Sequence, residues 1–285
     1  MEMFNKYCFI GCESSFEESD LVLFGAPFDG TSTFRPGSRF GPNKIRIDSY
    51  GLETYSPYLN KDLLDYRIHD AGDIDLIFGN TSVALDTIKS FTERVLANNK
   101  RPLMIGGEHL VTLPALRAVY EKHEDIVLLH FDAHTDLRED YMGESLSHST
   151  VIRKAWEFLG DNRIFQFGIR SGLKEEFIWA EREGHTFINK FGYDKLESVV
   201  SKVKDKPVYV TIDLDILDPS VFPGTGTPEP GGIDFNDMLK ILKTISTLNI
   251  LGADVVELAP DYDPTGVSTA VASKVIRELM LAMQK

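Results

Sequence analysis

Two carboxylates and an imidazole occupy alternate positions directly after an apolar run. Residues 126–131 read Ile-Val-Leu-Leu-His-Phe, and Asp132, His134 and Asp136 follow. The run predicts a strand buried on both faces, and in extended chain this spacing directs the three side chains the same way. Such groups repel and stay poorly solvated unless a cation compensates them. The pattern indicates a metal site, although a solvated acidic turn is equally consistent with this stretch alone.

Polar residues also follow the carboxyl ends of three further predicted strands. The strands and residues are Pro102–Ile105 with His109, Pro207–Ile212 with Asp213 and Asp215, and Leu251–Val256 with Glu257. The carboxyl ends of the strands in an open parallel α/β sheet line one crevice, where such folds place their sites. We therefore expect the four strand ends to contribute to one pocket.

The candidate ligands are two imidazoles and four carboxylates. They are His109, Asp132, His134, Asp136, Asp213 and Asp215. One divalent ion would leave an excess of about two negative charges, whereas two ions would balance the cluster. Oxygen-rich ligation with imidazole and without thiolate suits manganese better than zinc, iron or cobalt. Two ions ~3.5–4 Å apart could hold a bridging water and lower its pKa, so hydrolysis is the predicted reaction.

Glu257 is a carboxylate that such a metal pair would not need. If it faces the pocket, it favours a cation, and a planar guanidinium can pair with it in bidentate fashion. From its spacing alone, a solvated or lysine-paired Glu257 is at least as consistent with the sequence.

Predicted strands and helices alternate along the chain without a linker or repeat, which predicts a single α/β domain over 1–285 with a mainly parallel sheet. The remaining strands are predicted at Leu21–Phe24 and Arg163–Ile169. Helices are predicted at Thr81–Asn98, Leu113–Lys122, Thr150–Leu159, Lys174–Glu183, Tyr193–Val203, Asn236–Thr247 and Ser268–Gln284. Gly30–Pro42 is predicted to be a loop and Asp70–Asp75 a turn.

Composition and charge restrict the function classes. The formal charge of −14 and the absence of a Lys/Arg cluster argue against a nucleic-acid partner and favour a small cationic substrate. No apolar run approaches the length of a membrane span, and Met1–Asp20 lacks the features of a signal peptide, so we expect a cytoplasmic protein with no membrane partner. Cys8 and Cys12 are too few for a disulfide framework and are interpreted as reduced, incidental thiols.

Several motifs in order resemble the ureohydrolases, the arginase and agmatinase family, over almost the whole chain. They are Gly25–Asp29, Arg35–Pro42, Gly106-Gly107-Glu108-His109, Asp132–Asp136, and Asp213-Leu214-Asp215 with the loop Pro219–Gly232. This resemblance implies a three-layer α/β/α sandwich on an eight-stranded, mainly parallel sheet, assembled as a homotrimer or homohexamer.

The resemblance also implies roles for site residues. One Mn²⁺ would be held by His109, Asp132, Asp136 and Asp213, and a second by Asp132, His134, Asp213 and Asp215. A hydroxide would attack a guanidinium carbon, with Asp136 transferring its proton to the leaving amine. His148 would help to shuttle protons, and Glu257 would hold the guanidinium. These roles remain what the resemblance implies.

Departures from arginases favour agmatine, which yields putrescine and urea. Arg138 stands where arginases carry an Asn, and Ser171-Gly172-Leu173 lacks their acidic residue after Gly-x-Arg. The residues with which arginases bind the α-carboxylate and α-amino groups of arginine are therefore both missing. If Glu139, Asp140 or Glu144 pairs with Arg138, agmatine is favoured, whereas an unpaired Arg138 points to a guanidino acid such as guanidinobutyrate. Arginine, a single-zinc deacetylase on a related fold and a non-catalytic binding protein are weaker alternatives.

Residues outside these motifs have simpler interpretations. His130 is interpreted as packed or supporting the site, while His69, His123 and His185 are expected to be solvated. Trp156 and Trp179 are expected in the core.

Overall fold

Eight parallel strands form the central sheet of the computed structural model, which describes residues 7–77 and 79–284. The strands are β1 Leu21–Ala26, β4 Ile68–Asp73, β5 Arg101–Gly106, β6 Val127–Phe131, β7 Ile164–Ile169, β8 Phe187–Lys190, β9 Pro207–Asp213 and β10 Asn249–Val256. Their order is β4-β1-β5-β10-β9-β6-β7-β8. A small antiparallel hairpin pairs β2 Tyr55–Ser56 with β3 Lys61–Asp62. The 1–285 range and the Met1–Asp20 segment used above both include residues outside the described ranges.

Helices cover both faces of the sheet. They are α1 Gly41–Ser49, α2 Thr81–Ala97, α3 Thr112–Lys122, α4 Val151–Leu159, α5 Lys174–Glu181, α6 Leu196–Val203, α7 Phe235–Ile245 and α8 Val267–Ala282. Helices α1, α6, α7 and α8 share one hydrophobic core with the sheet, and α2 to α5 share the other. The result is the expected three-layer α/β/α arrangement on an eight-stranded parallel sheet.

Alternation along the strands supplies both cores. In β5, Leu103 and Ile105 lie in one core and Met104 in the other, and all three side chains are fully buried. Strands that are buried on both faces need apolar residues at every position, which explains their near-continuous hydrophobic runs.

Three elements differ from the sequence-based expectation. The turn predicted at Asp70–Asp75 is wrong, because residues 68–73 form β4, an edge strand. Buried Arg46 forms ion pairs with Asp70 and Asp73 and so neutralises acids that resemble a turn signal. Strand β8 was not predicted, and α1 begins where a loop was expected to end. Because β4 and β8 are the sheet edges, their sequences carry weaker burial patterns.

A surface cluster corrects two expectations about aromatic residues. His185 is 9 % exposed, stacks on Trp179 at 4.5 Å between ring centroids, and bonds Asp161 through Nδ1 at 2.7 Å. Its predicted solvation is therefore wrong. Trp156 and Trp179 are only partly buried and pack on the outside of the core that contains α4 and α5.

The strand order places β5, β10, β9 and β6 side by side in the middle of the sheet. Their carboxyl ends consequently form one continuous edge for polar residues. Among the described residues, no helix is both long and apolar enough to cross a membrane.

Candidate active site

The polar residues that follow the four central strands meet beneath one cavity of about 420 Å³. Among the predicted site residues, those lining it are His109, His134, Asp136, His148, Asp213 and Glu257. Asp132 and Asp215 are not among the lining residues and are almost fully buried. The structure thus brings together every residue that the sequence assigned to the site.

His109 is surrounded by carboxylate oxygens. They belong to Asp132 and Asp136, both 3.0 Å from Nδ1, and to Asp213, 3.5 Å from it. The Nδ1 atom is nevertheless buried without a hydrogen-bond partner. The opposite ring nitrogen, Nε2, lies 3.0 Å from the Thr211 hydroxyl, which itself donates to Asp254 at 2.6 Å. Because the Thr211 proton is committed to Asp254, Nε2–H donates to Thr211, and Nδ1 is the ring nitrogen that faces the carboxylates.

A second group of donors surrounds His134. Its Nδ1 atom lies 3.0 Å from Asp215 Oδ2 and 3.5 Å from Asp132 Oδ1. Asp132 therefore contributes one oxygen to the group around His109 and the other to the group around His134. Two clusters that share one carboxylate have the donor chemistry of a pair of adjacent cation sites.

The cluster lacks positive charge. Burial and repulsion by Asp215 and Asp132 raise the pKa of Asp213 well above its usual value, and burial and Asp132 raise the pKa of Asp136 to about 7. Burial lowers the pKa of His109, but Asp132 and Asp136 raise it by more, so that it lies well above the ordinary range. The buried donor set and the orphaned Nδ1 atom both fit divalent cations, which would supply the missing charge.

His130 supports Asp132 from below. Its Nε2 atom lies 2.8 Å from Asp132 Oδ2, and its Nδ1 atom lies 3.0 Å from the Gln166 amide nitrogen. The Gln166 amide also donates to the Thr135 carbonyl, so Nδ1 accepts and Nε2–H donates to Asp132. The interpretation of His130 as a supporting residue agrees with this geometry, whereas Gln166 was not singled out.

Buried Glu176 is a second supporting residue that sequence reasoning missed. Its carboxylate accepts hydrogen bonds from Thr135 Oγ1 at 2.8 Å, Leu137 N at 2.9 Å and Leu173 N at 2.6 Å. These bonds hold the loop around Asp136 against the start of α5. An acidic residue near a helix start resembles an ordinary cap in sequence, so no local signal distinguished it.

Backbone geometry orients Asp136 and Glu257. Both are non-glycine residues in the left-handed region, with φ of 51° and 66°. The Asp136 carbonyl accepts hydrogen bonds from Ile152 N and Arg153 N at the start of α4, both at 3.1 Å. Left-handed conformations at non-glycine residues cost about 1 kcal/mol and persist where the surroundings enforce them.

Arg138 lines the cavity and stacks on Tyr141, with its guanidinium carbon 4.5 Å from the ring centroid. Within residues 7–77 and 79–284, no carboxylate lies within 4.0 Å of its guanidinium nitrogens. Asp140 and Glu144 instead accept amide hydrogen bonds within their own loop. The pairing considered for Arg138 is therefore not present in this structure.

The eight-stranded parallel sheet and its strand order define an arginase-like fold, and the buried His/Asp cluster suggests a metal site within it. The sequence profile of the arginase family matches residues 19–282, and this chain belongs to that family. It is 50 % identical to an agmatinase from Bacillus subtilis, over all of this chain and 99 % of that protein. The chain is thus an agmatinase-type ureohydrolase that acts on a small guanidino substrate, and its His/Asp cluster suggests a binuclear metal site.

Two further relatives have names that indicate different guanidino substrates. The agmatine ureohydrolase of Thermoplasma volcanium superimposes with a TM-score of 0.88 at 34 % identity, covering 99 % of this chain and 95 % of that chain. A guanidinobutyrase from Pseudomonas aeruginosa is 33 % identical, over 93 % of this chain and 86 % of that protein. The fold is therefore shared by relatives whose names indicate different guanidino substrates.

Proposed function

We propose that this enzyme hydrolyses agmatine to putrescine and urea with two Mn²⁺ ions per chain. The observation that carries the proposal is the pair of donor groups joined by Asp132 beneath a single cavity. Four buried carboxylates balance two divalent cations in charge. Similarity to an agmatinase along the entire chain supports agmatine as the substrate.

The metals would be held by residues from three strand ends. His109, Asp132, Asp136 and Asp213 would hold one ion, and Asp132, His134, Asp213 and Asp215 the other. When bound, the ions supply a water whose lowered pKa makes it a nucleophile near neutral pH. Oxygen-rich ligands with two imidazoles and no thiolate favour manganese.

Glu257 would bind and orient the substrate guanidinium. Its Oε1 atom accepts a hydrogen bond from His109 N at 2.8 Å, and the residue lines the cavity. A guanidinium held by this carboxylate places its carbon beside the cluster, since Glu257 and His109 are joined directly.

Asp136 and His148 would transfer the protons that hydrolysis requires. Hydrolysis adds water oxygen to the guanidinium carbon and breaks its bond to the alkyl nitrogen, which needs one proton to leave as an amine. Asp136 would take a proton from the attacking water and deliver it to that nitrogen, and His148 would exchange protons with solvent. Burial lowers the pKa of His148, which favours the neutral form that can accept a proton.

A guanidino acid is the second candidate substrate. The observation that favours it is Arg138, a cavity-lining cation with no carboxylate partner among the described residues. A substrate carboxylate at the far end of the cavity could form a bidentate pair with it, whereas the distal ammonium of agmatine would be repelled. Guanidinobutyrate therefore belongs in the first substrate panel.

The direct test is urea release from agmatine, guanidinobutyrate and arginine by Mn²⁺-loaded enzyme, with metal content measured on the same sample. We expect agmatine to give the highest kcat/KM and two manganese ions per chain. Asp132→Asn should lose metal and activity together, since Asp132 contributes to both donor groups. Urea from none of the three substrates would overturn the function, and one zinc per chain would favour deacetylase chemistry.

We further propose that the enzyme is a cytoplasmic homotrimer or homohexamer and that putrescine release places it in polyamine biosynthesis. Light scattering on the metal-loaded protein tests the assembly, because three or six times the chain mass of 32.0 kDa is expected. A monomeric mass would overturn that part alone.

A further inference from the structure

We propose that Thr31, held by Glu108, is a positioning residue for His148. This inference rests on the role of His148 in the proposed function. Thr31 lies in the loop after β1, and its hydroxyl donates to Glu108 Oε1 at 2.6 Å. Thr31 Oγ1 also accepts a hydrogen bond from the backbone amide of His148 at 3.1 Å. One hydroxyl in the loop after β1 therefore bonds both the end of β5 and the loop at His148, which lies more than a hundred residues further along the chain than Thr31.

Glu108 fixes the position of the Thr31 hydroxyl through several hydrogen bonds. Its side chain is fully buried and accepts bonds from Thr31 N at 3.0 Å, Thr31 Oγ1, and Ser32 Oγ at 3.0 Å. No Lys, Arg or His among the described residues forms an ion pair with it. A buried carboxylate satisfied by hydrogen bonds alone fixes the orientation of its donors.

Close packing brings the two loops together. The backbone of Gly107 approaches Phe28 so tightly that a Cβ on Gly107 would lie 1.9 Å from the Phe28 carbonyl oxygen. Glu108 N also donates to that carbonyl at 2.7 Å. Residues 28–32 are consequently docked on the β5 end, directly before His109.

The bond direction at Thr31 follows from the His148 amide. A backbone N–H can only donate, so a Thr31 Oγ1 lone pair faces His148 N–H, and the single hydroxyl proton of Thr31 is directed to Glu108 Oε1. His148 begins a 3-10 turn at residues 148–150 that leads into α4. The bond thus sets where the His148 backbone, and with it the cavity-lining ring, lies.

Thr31→Val removes both hydrogen bonds with little change in shape, and Thr31→Ser retains them. Misplacing a catalytic group by ~1 Å can cost ~100-fold, and we expect kcat of Thr31→Val to fall about 10- to 100-fold with KM changed less than about threefold. Thr31→Ser should stay within about threefold of wild type. Ser32→Ala, which removes a Glu108 bond that does not reach His148, is the matched control and should also stay within about threefold.

Two readouts separate positioning from general destabilisation. In a His148→Asn background, Thr31→Val should lower kcat by less than about twofold, because the residue through which it acts is already gone. The His148 amide should exchange hydrogen about tenfold faster in Thr31→Val than in Thr31→Ser, since its acceptor is lost. The exchange measurement needs no turnover.

The outcomes are distinct. Wild-type kcat in Thr31→Val, an equal loss in the His148→Asn background, or unchanged exchange at His148 would each overturn the inference. If Thr31→Val does not fold, Thr31→Ala replaces it in both measurements. An inactive wild-type enzyme would count against the proposed function, and the amide exchange would still decide whether Thr31 orders His148.

Discussion

The backbone amide of His109 donates a hydrogen bond to Oε1 of Glu257 at 2.8 Å. The amide of Glu257 in turn donates to the Gly107 carbonyl at 2.9 Å. These reciprocal bonds join the ends of β5 and β10, neighbours in the sheet. A residue proposed to hold the substrate is thereby positioned directly from the backbone of a proposed metal ligand.

Glu257→Gln should separate substrate binding from metal binding. The amide oxygen retains the bond to His109 N, but the negative charge that pairs with a guanidinium is lost. We expect kcat/KM to fall about 100-fold for agmatine, while the metal content stays at the wild-type level. Steady-state urea assays and metal analysis of the same preparations test this expectation. Loss of metal together with activity would show that Glu257 has a structural role instead.

His130→Phe should weaken metal binding without removing a proposed ligand. Phenylalanine fills similar space but cannot donate to Asp132 as His130 Nε2 does. Partners that orient ligands typically contribute 10- to 100-fold to metal affinity, so a loss of about that size is expected in a chelator competition assay.

Thr186→Val is the control for the His130 substitution. Thr186 donates to the Gln166 side-chain oxygen at 2.8 Å, one step further from Asp132. Its effect on metal affinity should be below about threefold, since the Gln166 amide still bonds His130 and Thr135. Equal losses in both variants would contradict the proposed role of His130.

Arg138→Leu should shift the substrate preference from guanidinobutyrate, which has a distal carboxylate, toward agmatine, which has a distal ammonium. Removing this cation relieves repulsion of a distal ammonium, so kcat/KM for agmatine is expected to rise or stay constant. For guanidinobutyrate it should fall at least about tenfold, because a charge-assisted pair worth about 1.5–3 kcal/mol is lost. Assays of both substrates with wild type and variant give the ratio directly. An unchanged ratio would mean that the far end of the substrate does not reach Arg138.

Asp263 should contribute stability that disappears in acid. Burial raises the pKa of Asp263, but hydrogen bonds from Thr265 and Ser268 lower it by more, to about 2. The Asp263 carboxylate accepts from Ser268 N at 2.7 Å and so satisfies an amide in the first turn of α8. A lowered folded-state pKa means that this stabilisation is complete above the unfolded value of ~3.9 and is lost as pH falls through about 2.

Asp263→Asn tests this linkage. Asparagine keeps an acceptor oxygen but lacks the charge whose stabilisation lowers the pKa, so the variant should unfold more easily by up to about 2 kcal/mol at pH 6. The difference from wild type should shrink between pH ~4 and ~2, as measured by urea denaturation in the presence of EDTA, which removes any contribution from bound metal. A difference that stays constant down to pH 2 would contradict the assignment.

The sequence alone predicted the centre of this protein. Six strands, all four of the central ones among them, were predicted from apolar runs because strands buried on both faces require them. Asp132, Asp213 and His109 were predicted to belong to one site because parallel strands end at one edge. These inferences depend on local patterns and on a general rule of sheet geometry.

Only the tertiary structure decided which side chains meet. Strands β4 and β8 at the sheet edges escaped prediction, since β4 carries acids whose partner, Arg46, lies more than twenty residues away. The Glu108 contact with Thr31 and the Glu176 contacts with the Asp136 loop also join distant segments. Arg138 has acidic neighbours in sequence, yet it stacks on Tyr141 because those acids bond to their own loop. Proximity in sequence does not determine pairing where loop geometry directs side chains apart.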